Sequence, residues 1–350
     1  MNQEIERLLR DNIRRLEPYS CARDEFKGTA RVMLDANENP FNAPINRYPD
    51  PLQWQVKTEL AKVKGIGANH IFLGVGSDEC IDICYRVFCE PRIDNVVAMA
   101  PSYGMYEVCA DINDVNYRKV PLNADFSLDT DAMLAAADTN TKLMWICSPN
   151  NPTGNSFPFS DIERLYNGFS GMIVVDEAYI DFSSRPSAKA HIDDMPRLVV
   201  LQTFSKAWGN AGARMGIAFA HPDIIGVFNK VKYPYNISTL AQSHMLDMLA
   251  KADTVKQWVA TILDNRASLL HQLASVGCIT HIYPTDANFI LVATIDADDI
   301  YRYLCSDGII VRNRNRVRLC EGCLRITVGT ADENAELIAA LHRYDNQDKQ

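Results

Sequence analysis

Lys206 lies in "TFSKAWGNAGARMG", residues 203 to 216, where glycines and alanines crowd one lysine and one arginine directly after the apolar run "LVVLQ". A lysine delivered by a strand into so tight a loop can pair with a carboxylate, or it can form a Schiff base with an aldehyde cofactor. Asp176 is the carboxylate to weigh against it. It ends the apolar run "MIVVD" and is followed by Glu177 and Tyr179 in "VVDEAYIDF". A carboxylate at the end of such a run is costly unless a cation or hydrogen-bond donors meet it, so an ion pair and a catalytic partner both stay open.

Two further loops carry chemical groups. "LGVGSDE", 73 to 79, sets glycines and Ser77 ahead of a helix expected over 78–90, where unpaired amides and the helix dipole favour an anion. Alone it reads equally as a helix N-cap. "CSPNNPTGN", 147 to 155, follows the apolar run "KLMWIC" with adjacent Asn150 and Asn151, and alone it reads as a tight turn. Ser205 and Arg214 flank Lys206 and are suited to a phosphate that small residues let the backbone approach.

These loops need a frame. "NVVAMA", "KLMWIC", "MIVVDEA", "LVVLQT" and "GIAFA" read as strands separated by helix-length segments such as 78–90 and 160–168. Continuous apolar strands alternating with helices predict an α/β domain with a mainly parallel sheet covered on both faces, whose active site gathers at the strands' carboxyl ends. A long helical stretch over 237–276 and the strands "NFILVAT", "GIIVRN" and "CLRITVG" predict a smaller α+β domain. The expected division is a large domain over 45–245 and a small one formed by 1–44 with 246–350, with the ligand cleft between them.

Composition narrows the classes. The chain has 350 residues with 47% hydrophobic and 23% charged, ordinary values for a globular protein. A formal net charge of -9 argues against a nucleic-acid partner, so "RNRNRVR", 312 to 318, is expected to be a strand ending in an exposed hairpin. Residues 1–17 read as one amphipathic helix without the apolar centre of a signal peptide, and no run is long enough to span a membrane. Cysteines inside apolar patterns suit a reducing compartment, so a cytoplasmic location is expected. "CEGC", 320 to 323, has no second ligand pair, and no metal site is expected. Neither a complete G-x-G-x-x-G nor a G-x-S-x-G is present.

Taken in order, "SPNNPTG", "VVDEAY", "TFSKAWGNAGARMG" and "CLRITVGT" resemble the fold type I pyridoxal-phosphate aminotransferases. "DANENP", "NRYPDP", "GSDECI" and "PSYGMYE" narrow the resemblance to the histidinol-phosphate aminotransferase family and its close relatives, over roughly residues 18–340. The resemblance implies a seven-stranded sheet in the large domain and pyridoxal 5'-phosphate held covalently by Lys206. Asp176 would pair with the cofactor's ring nitrogen, while Asn151 and Tyr179 would bond its phenolic oxygen. Tyr103 would stack on the ring, and Gly76, Ser77, Asp78, Thr203, Ser205 and Arg214 would line the phosphate pocket. Tyr48 would reach that phosphate from the neighbouring subunit of a homodimer. Arg325, with Arg312 and Tyr19, would hold the acidic end of the substrates.

The implied reaction is transamination of L-histidinol phosphate with 2-oxoglutarate, giving imidazole acetol phosphate and glutamate. A threonine-phosphate decarboxylase and an aromatic aminotransferase share the same motifs and are the alternatives. A cofactor-sensing transcription regulator is disfavoured, because only about 30 residues precede "DANENP", fewer than a winged helix needs. One departure stands out: Asn210 and Ala213 replace the leucines frequent in the family's "GLAGLRxG".

Overall fold

The computed structural model describes residues 1–19 and 30–347. Its main feature is a seven-stranded sheet of order β1-β7-β6-β5-β4-β2-β3, with β1 Ile71–Val75, β2 Asn95–Ala100, β3 Asn116–Pro121, β4 Thr141–Cys147, β5 Met172–Asp176, β6 Leu198–Thr203 and β7 Met215–Ala220. β3, β2, β4, β5 and β6 run parallel, and β7 is antiparallel to both of its neighbours. The central strands β5 and β6 are buried along their whole length, as expected for strands covered on both faces.

Alternate residues feed two cores. Leu73, Val97, Met144, Ile173 and Val200 face one, while Phe72, Val96, Leu143, Val174 and Val199 face the other. The period-2 pleat thus fixes which side of the sheet each strand residue serves.

Parallel pairing sets the functional edge. Because β2, β4, β5 and β6 run the same way, the loops after Ala100, Cys147, Asp176 and Thr203 emerge together. β7 runs back from that edge with Gly216 opposite Thr203, and β1 returns to it with Val75 opposite Met215. Arg214 and Gly76 therefore meet there too, joined by the Gly76 N–H donating to the Arg214 carbonyl at 2.9 Å.

A second, antiparallel sheet of order β10-β11-β9-β8 comprises β8 Ile279–Ile282, β9 Phe289–Thr294, β10 Arg312–Asn313 and β11 Cys323–Thr327. It has its own core of Leu269, Ile290, Ile300, Leu324 and Leu341. Gly154 and Thr285 bring this part against the large sheet, with the Asp286 N–H donating to the Gly154 carbonyl at 2.7 Å.

Several expectations change. The sequence names no strand at β1, β3 or β8. β1 was hidden within the supposed glycine loop, and β3, mostly exposed at the sheet edge, lacks an apolar run. The helix expected over 78–90 starts earlier, at Gly76, and runs to Phe88, placing Ser77 and Asp78 inside its first turn. The stretch 237–276 is two helices, Thr239–Leu249 and Ala252–Leu273, broken at Ala250 and Lys251. The N-terminal helix is likewise two short ones, Gln3–Glu6 and Asp11–Arg15. Their Ile5, Leu8, Leu9 and Ile13 pack with Phe72, Ile81 and Phe228 in a core of the large sheet, whereas the sequence division grouped residues 1–44 with the small domain.

Candidate active site

The loops at the functional edge and the small sheet enclose a cavity of about 710 Å³, lined by Lys206, Asp176, Tyr179, Asn151, Tyr103 and Arg325 among others. Ser77, Asp78, Thr203, Ser205, Arg214 and Arg312 line it as well. Most of the candidate residues, scattered over some 250 positions, thus converge on one space. Two do not. Tyr19 is 73% exposed, and Tyr48 lines a separate depression, where its ring stacks on Tyr235 at 4.5 Å.

Asp176 is the most deeply set of the group. The Tyr106 hydroxyl donates to its Oδ2 at 2.7 Å and the Ala178 N–H donates to its Oδ1 at 3.0 Å. Burial pushes its carboxyl above the usual range, and these two donors oppose that shift. Among the described residues no cation forms a salt bridge with it. A buried carboxylate that faces a cavity with donors behind it is prepared for a cationic ligand in front.

Lys206 opens into the same cavity, its Nζ 5.6 Å from the centre of the Tyr179 ring. Burial, and next the positive charge of Arg325, lower its pKa, which raises the fraction of free amine able to attack a carbonyl or take a proton. Tyr179 is buried edge-on against Phe289, with ring centres 5.1 Å apart.

The adjacent asparagines divide their labour. Asn150 knits loops together, accepting from the Ser102 hydroxyl at 3.0 Å and donating to the Pro101 carbonyl at 3.0 Å and to Thr153 Oγ1 at 2.7 Å. Asn151 faces the cavity, and its Oδ1 accepts from Arg325 Nη1 at 2.5 Å.

At one end of the cavity the helix Gly76–Phe88 begins without a side-chain cap, so the first-turn amides after Gly76, whose own N–H donates to Arg214, and the helix dipole are available to an anion. The approach is tight. A Cβ at Gly216 would lie 2.2 Å from the Gly76 carbonyl carbon and the Ser77 nitrogen, and one at Gly76 would lie 2.5 Å from Arg214 Nη2. Gly76 and Arg214 both adopt positive φ, +70° and +53°, which costs little for the glycine and is uncommon for the arginine. Asp78 accepts from the Tyr103 hydroxyl at 3.1 Å and from Arg214 at 3.4 Å, restraining both side chains. The departure at Asn210 has a partner: its buried Oδ1 lies 2.6 Å from His244 Nε2, tying the loop to the helix Thr239–Leu249.

At the other end stand Arg325, Arg312 and Arg314. The last was expected in an exposed hairpin, so the sequence reading missed it, although its i, i+2 spacing from Arg312 is the alternation that puts two strand residues on one face. Tyr106 was missed as well. It lies in the helix Met105–Ile112, just after Tyr103 in the loop before that helix, and the two rings meet edge-on at 5.7 Å; their closeness in "YGMY" was the available signal.

Residues 24–341 match the family described as Aminotransferase class I and II. The chain belongs to that family. It is 53% identical over 341 residues to a histidinol-phosphate aminotransferase of Bacteroides thetaiotaomicron, covering 97% of this chain and 99% of the relative. Among solved structures, the histidinol-phosphate aminotransferase of Clostridium acetobutylicum superposes with a TM-score of 0.80 at 21% identity, covering 87% of this chain and 92% of that one. That of Sinorhizobium meliloti, in complex with pyridoxal-5'-phosphate, gives 0.78 at 25% identity, covering 86% and 83%. The seven-stranded, mostly parallel sheet with a smaller antiparallel sheet is thus the fold of the aminotransferase neighbours. The "CEGC" thiols form no metal cluster among the described residues.

Proposed function

We propose that this chain catalyses pyridoxal-phosphate-dependent transamination of L-histidinol phosphate with 2-oxoglutarate, giving imidazole acetol phosphate and glutamate. The observation that carries the reading is one cavity in which a lysine amine, a buried carboxylate without a salt bridge among the described residues and a helix N-terminus without a side-chain cap face the same space, with arginines at the far end. The relatives' names favour this donor over the decarboxylase and aromatic alternatives.

The donor set fits the cofactor. Its phosphate matches the uncapped amides, Ser77, Thr203, Ser205 and Arg214, where glycines leave no room for a Cβ. A protonated ring nitrogen would give Asp176 the cation it lacks, Asn151 and Tyr179 would bond the phenolic oxygen, and Tyr103 would cover a ring face. Lys206 would hold the aldehyde carbon. When bound, the cofactor supplies an electron sink that makes the substrate's α-proton acidic.

The chain's own residues do the rest. Arg325 and Arg312 orient the acidic end of the substrate, fixing which bond to the α-carbon faces Lys206. The Lys206 amine, freed when the substrate amine takes its place, would accept the proton from the substrate's α-carbon as a general base and, as the ammonium, give it up again as a general acid. The Tyr106 hydroxyl and the Ala178 N–H, by donating to Asp176, favour its carboxylate against the burial that raises its pKa, and that carboxylate would face the cofactor's protonated ring nitrogen. The small domain closes one side of the cavity and limits water.

The active unit in this reading is a cytoplasmic homodimer in which Tyr48 of one subunit reaches the other's phosphate pocket. Exposed Ile45 and Leu240, which line the same depression as Tyr48, supply apolar surface for that contact. No helix among the described residues is long and apolar enough to cross a membrane. The test is the absorption spectrum of the purified protein before and after addition of L-histidinol phosphate. Conversion to the aminated cofactor's spectrum is expected, reversed by 2-oxoglutarate. An unchanged spectrum with this donor and conversion by another would overturn the reading.

A further inference from the structure

We propose that Arg314 is a specificity-determining residue, completing with Arg312 and Arg325 a three-guanidinium cup for the doubly charged phosphate end of the amino donor. The proposal rests on the donor reading above and deepens it.

Three observations support the cup. First, β10 pairs antiparallel with β11 so that Arg312 lies opposite Arg325, and directly opposed residues share a sheet face. Arg314, two positions on, continues the same alternation, its N–H donating to the Cys323 carbonyl at 2.9 Å. All three side chains line the cavity.

Second, Arg314 is held inward by a clamp on both sides. Asn313 and Asn315 each donate to one carboxylate, Asp298, at 2.6 and 2.9 Å, and Asn315 Oδ1 accepts from the Gly322 N–H at 2.8 Å. The residues on either side of Arg314 therefore point to Asp298 while Arg314 itself faces the cavity.

Third, the cup lacks counter-charge. Among the described residues no carboxylate forms a salt bridge with Arg312, Arg314 or Arg325. The Nε atoms of Arg314 and Arg325 are buried without a hydrogen-bond partner. Burial and the neighbouring guanidiniums of Arg325 and Arg312 bring Arg314 down to about 10, a mark of concentrated positive charge awaiting an anion.

Charge and shape then select the ligand. A carboxylate carries one charge and two oxygens, which one guanidinium fork satisfies. A phosphate monoester carries close to two charges near neutral pH and three terminal acceptor oxygens, enough for all three arginines. Arg314 adds most where that extra charge and third oxygen exist. The sequence "RNR" thus encodes an inward guanidinium between two anchoring amides.

The experiment compares the cofactor-loaded wild type with Arg314→Gln and Arg314→Lys in single-turnover half-reactions. For Arg314→Gln, the L-histidinol phosphate concentration giving half-maximal rate should rise about 10- to 100-fold, the size of a lost charge-assisted bond, while that for glutamate changes less than about 3-fold. Arg314→Lys, which keeps the charge without the fork, should fall between. Inorganic phosphate, used as an inhibitor of the glutamate half-reaction, should weaken about 10-fold or more in Arg314→Gln. An unaltered cofactor spectrum and unfolding midpoint establish that the variants are folded. Equal losses for both donors, or unchanged phosphate inhibition, would overturn the cup. If the wild type ignores L-histidinol phosphate, the donor reading falls and the phosphate inhibition alone decides the role of Arg314.

Discussion

The cavity has two cationic ends built from different materials. At the helix Gly76–Phe88, backbone amides, the helix dipole, hydroxyls and Arg214 converge, and Asp78 already partners that arginine. Beside β10 and β11, side-chain guanidiniums converge, and among the described residues no carboxylate forms a salt bridge with them. Backbone donors are fixed by the fold and suit an anion that stays; a cup of long side chains suits anions that come and go. In the proposed reading, the first end would retain the cofactor phosphate while the second exchanges phosphorylated and carboxylated substrates.

Lys206, between the two ends, gives the largest expected effect. Lys206→Ala should lower turnover by at least about 10⁴-fold through loss of the nucleophile and proton carrier, yet leave the cofactor bound non-covalently. Single-turnover rates and the spectrum of the purified variant check both halves.

The contrast itself is tested by crossing two substitutions. Arg214→Ala should weaken cofactor retention about 10- to 100-fold with little change in substrate KM, and Arg325→Ala should do the reverse. Dialysis against cofactor-free buffer and steady-state kinetics separate them. Indistinguishable phenotypes would mean the ends do not act as two sites.

A smaller effect is expected behind Asp176. Tyr106→Phe removes one of its two donors, so its carboxyl should rise further and turnover fall about 5- to 10-fold, with the loss greatest at low pH where the carboxylate protonates first. The pH–rate profile of the variant against wild type shows the shift.

The smallest concerns Glu177, next to Asp176 but turned away from the site. Burial brings it up to about 6 although Ser187, Gln202 and the Ala188 N–H donate to it. A raised acid binds more protons folded than unfolded, so its contribution to stability declines as pH climbs from about 4.5 through 6, by about 2 kcal/mol in all. Glu177→Gln should remove that decline, visible as a flatter difference in denaturant midpoints between pH 4.5 and 7.5.

Legibility differed along the chain for identifiable reasons. Strands β4 to β7 were readable because apolar side chains on both faces leave an unbroken run, whereas β3 exposes most of its residues and β1 ends in glycine-flanked residues that imitate a loop. The candidate cofactor residues that line the cavity could be picked out as candidates because most sit in motifs at or next to a strand end. Tyr106 and Arg314 were not, since a tyrosine in an amphipathic helix and an arginine in a basic tract have commoner explanations than a site. Tyr19 and Tyr48, outside the cavity of the single chain, remain proposals that await the assembled protein.

The sequence by itself determined the chemistry on offer: a lysine, an aspartate, paired asparagines and arginines, each at the end of a periodic segment, because local pattern and turn residues act over a few positions. Only the tertiary structure decided which of these groups share a space and in what charge state. Parallel strand order brings four distant loops to one edge, and burial there raises the Asp176 carboxyl and lowers the pKa of Lys206, Arg314 and Arg325. Desolvation and proximity are properties of the packed chain, and no window of sequence contains them.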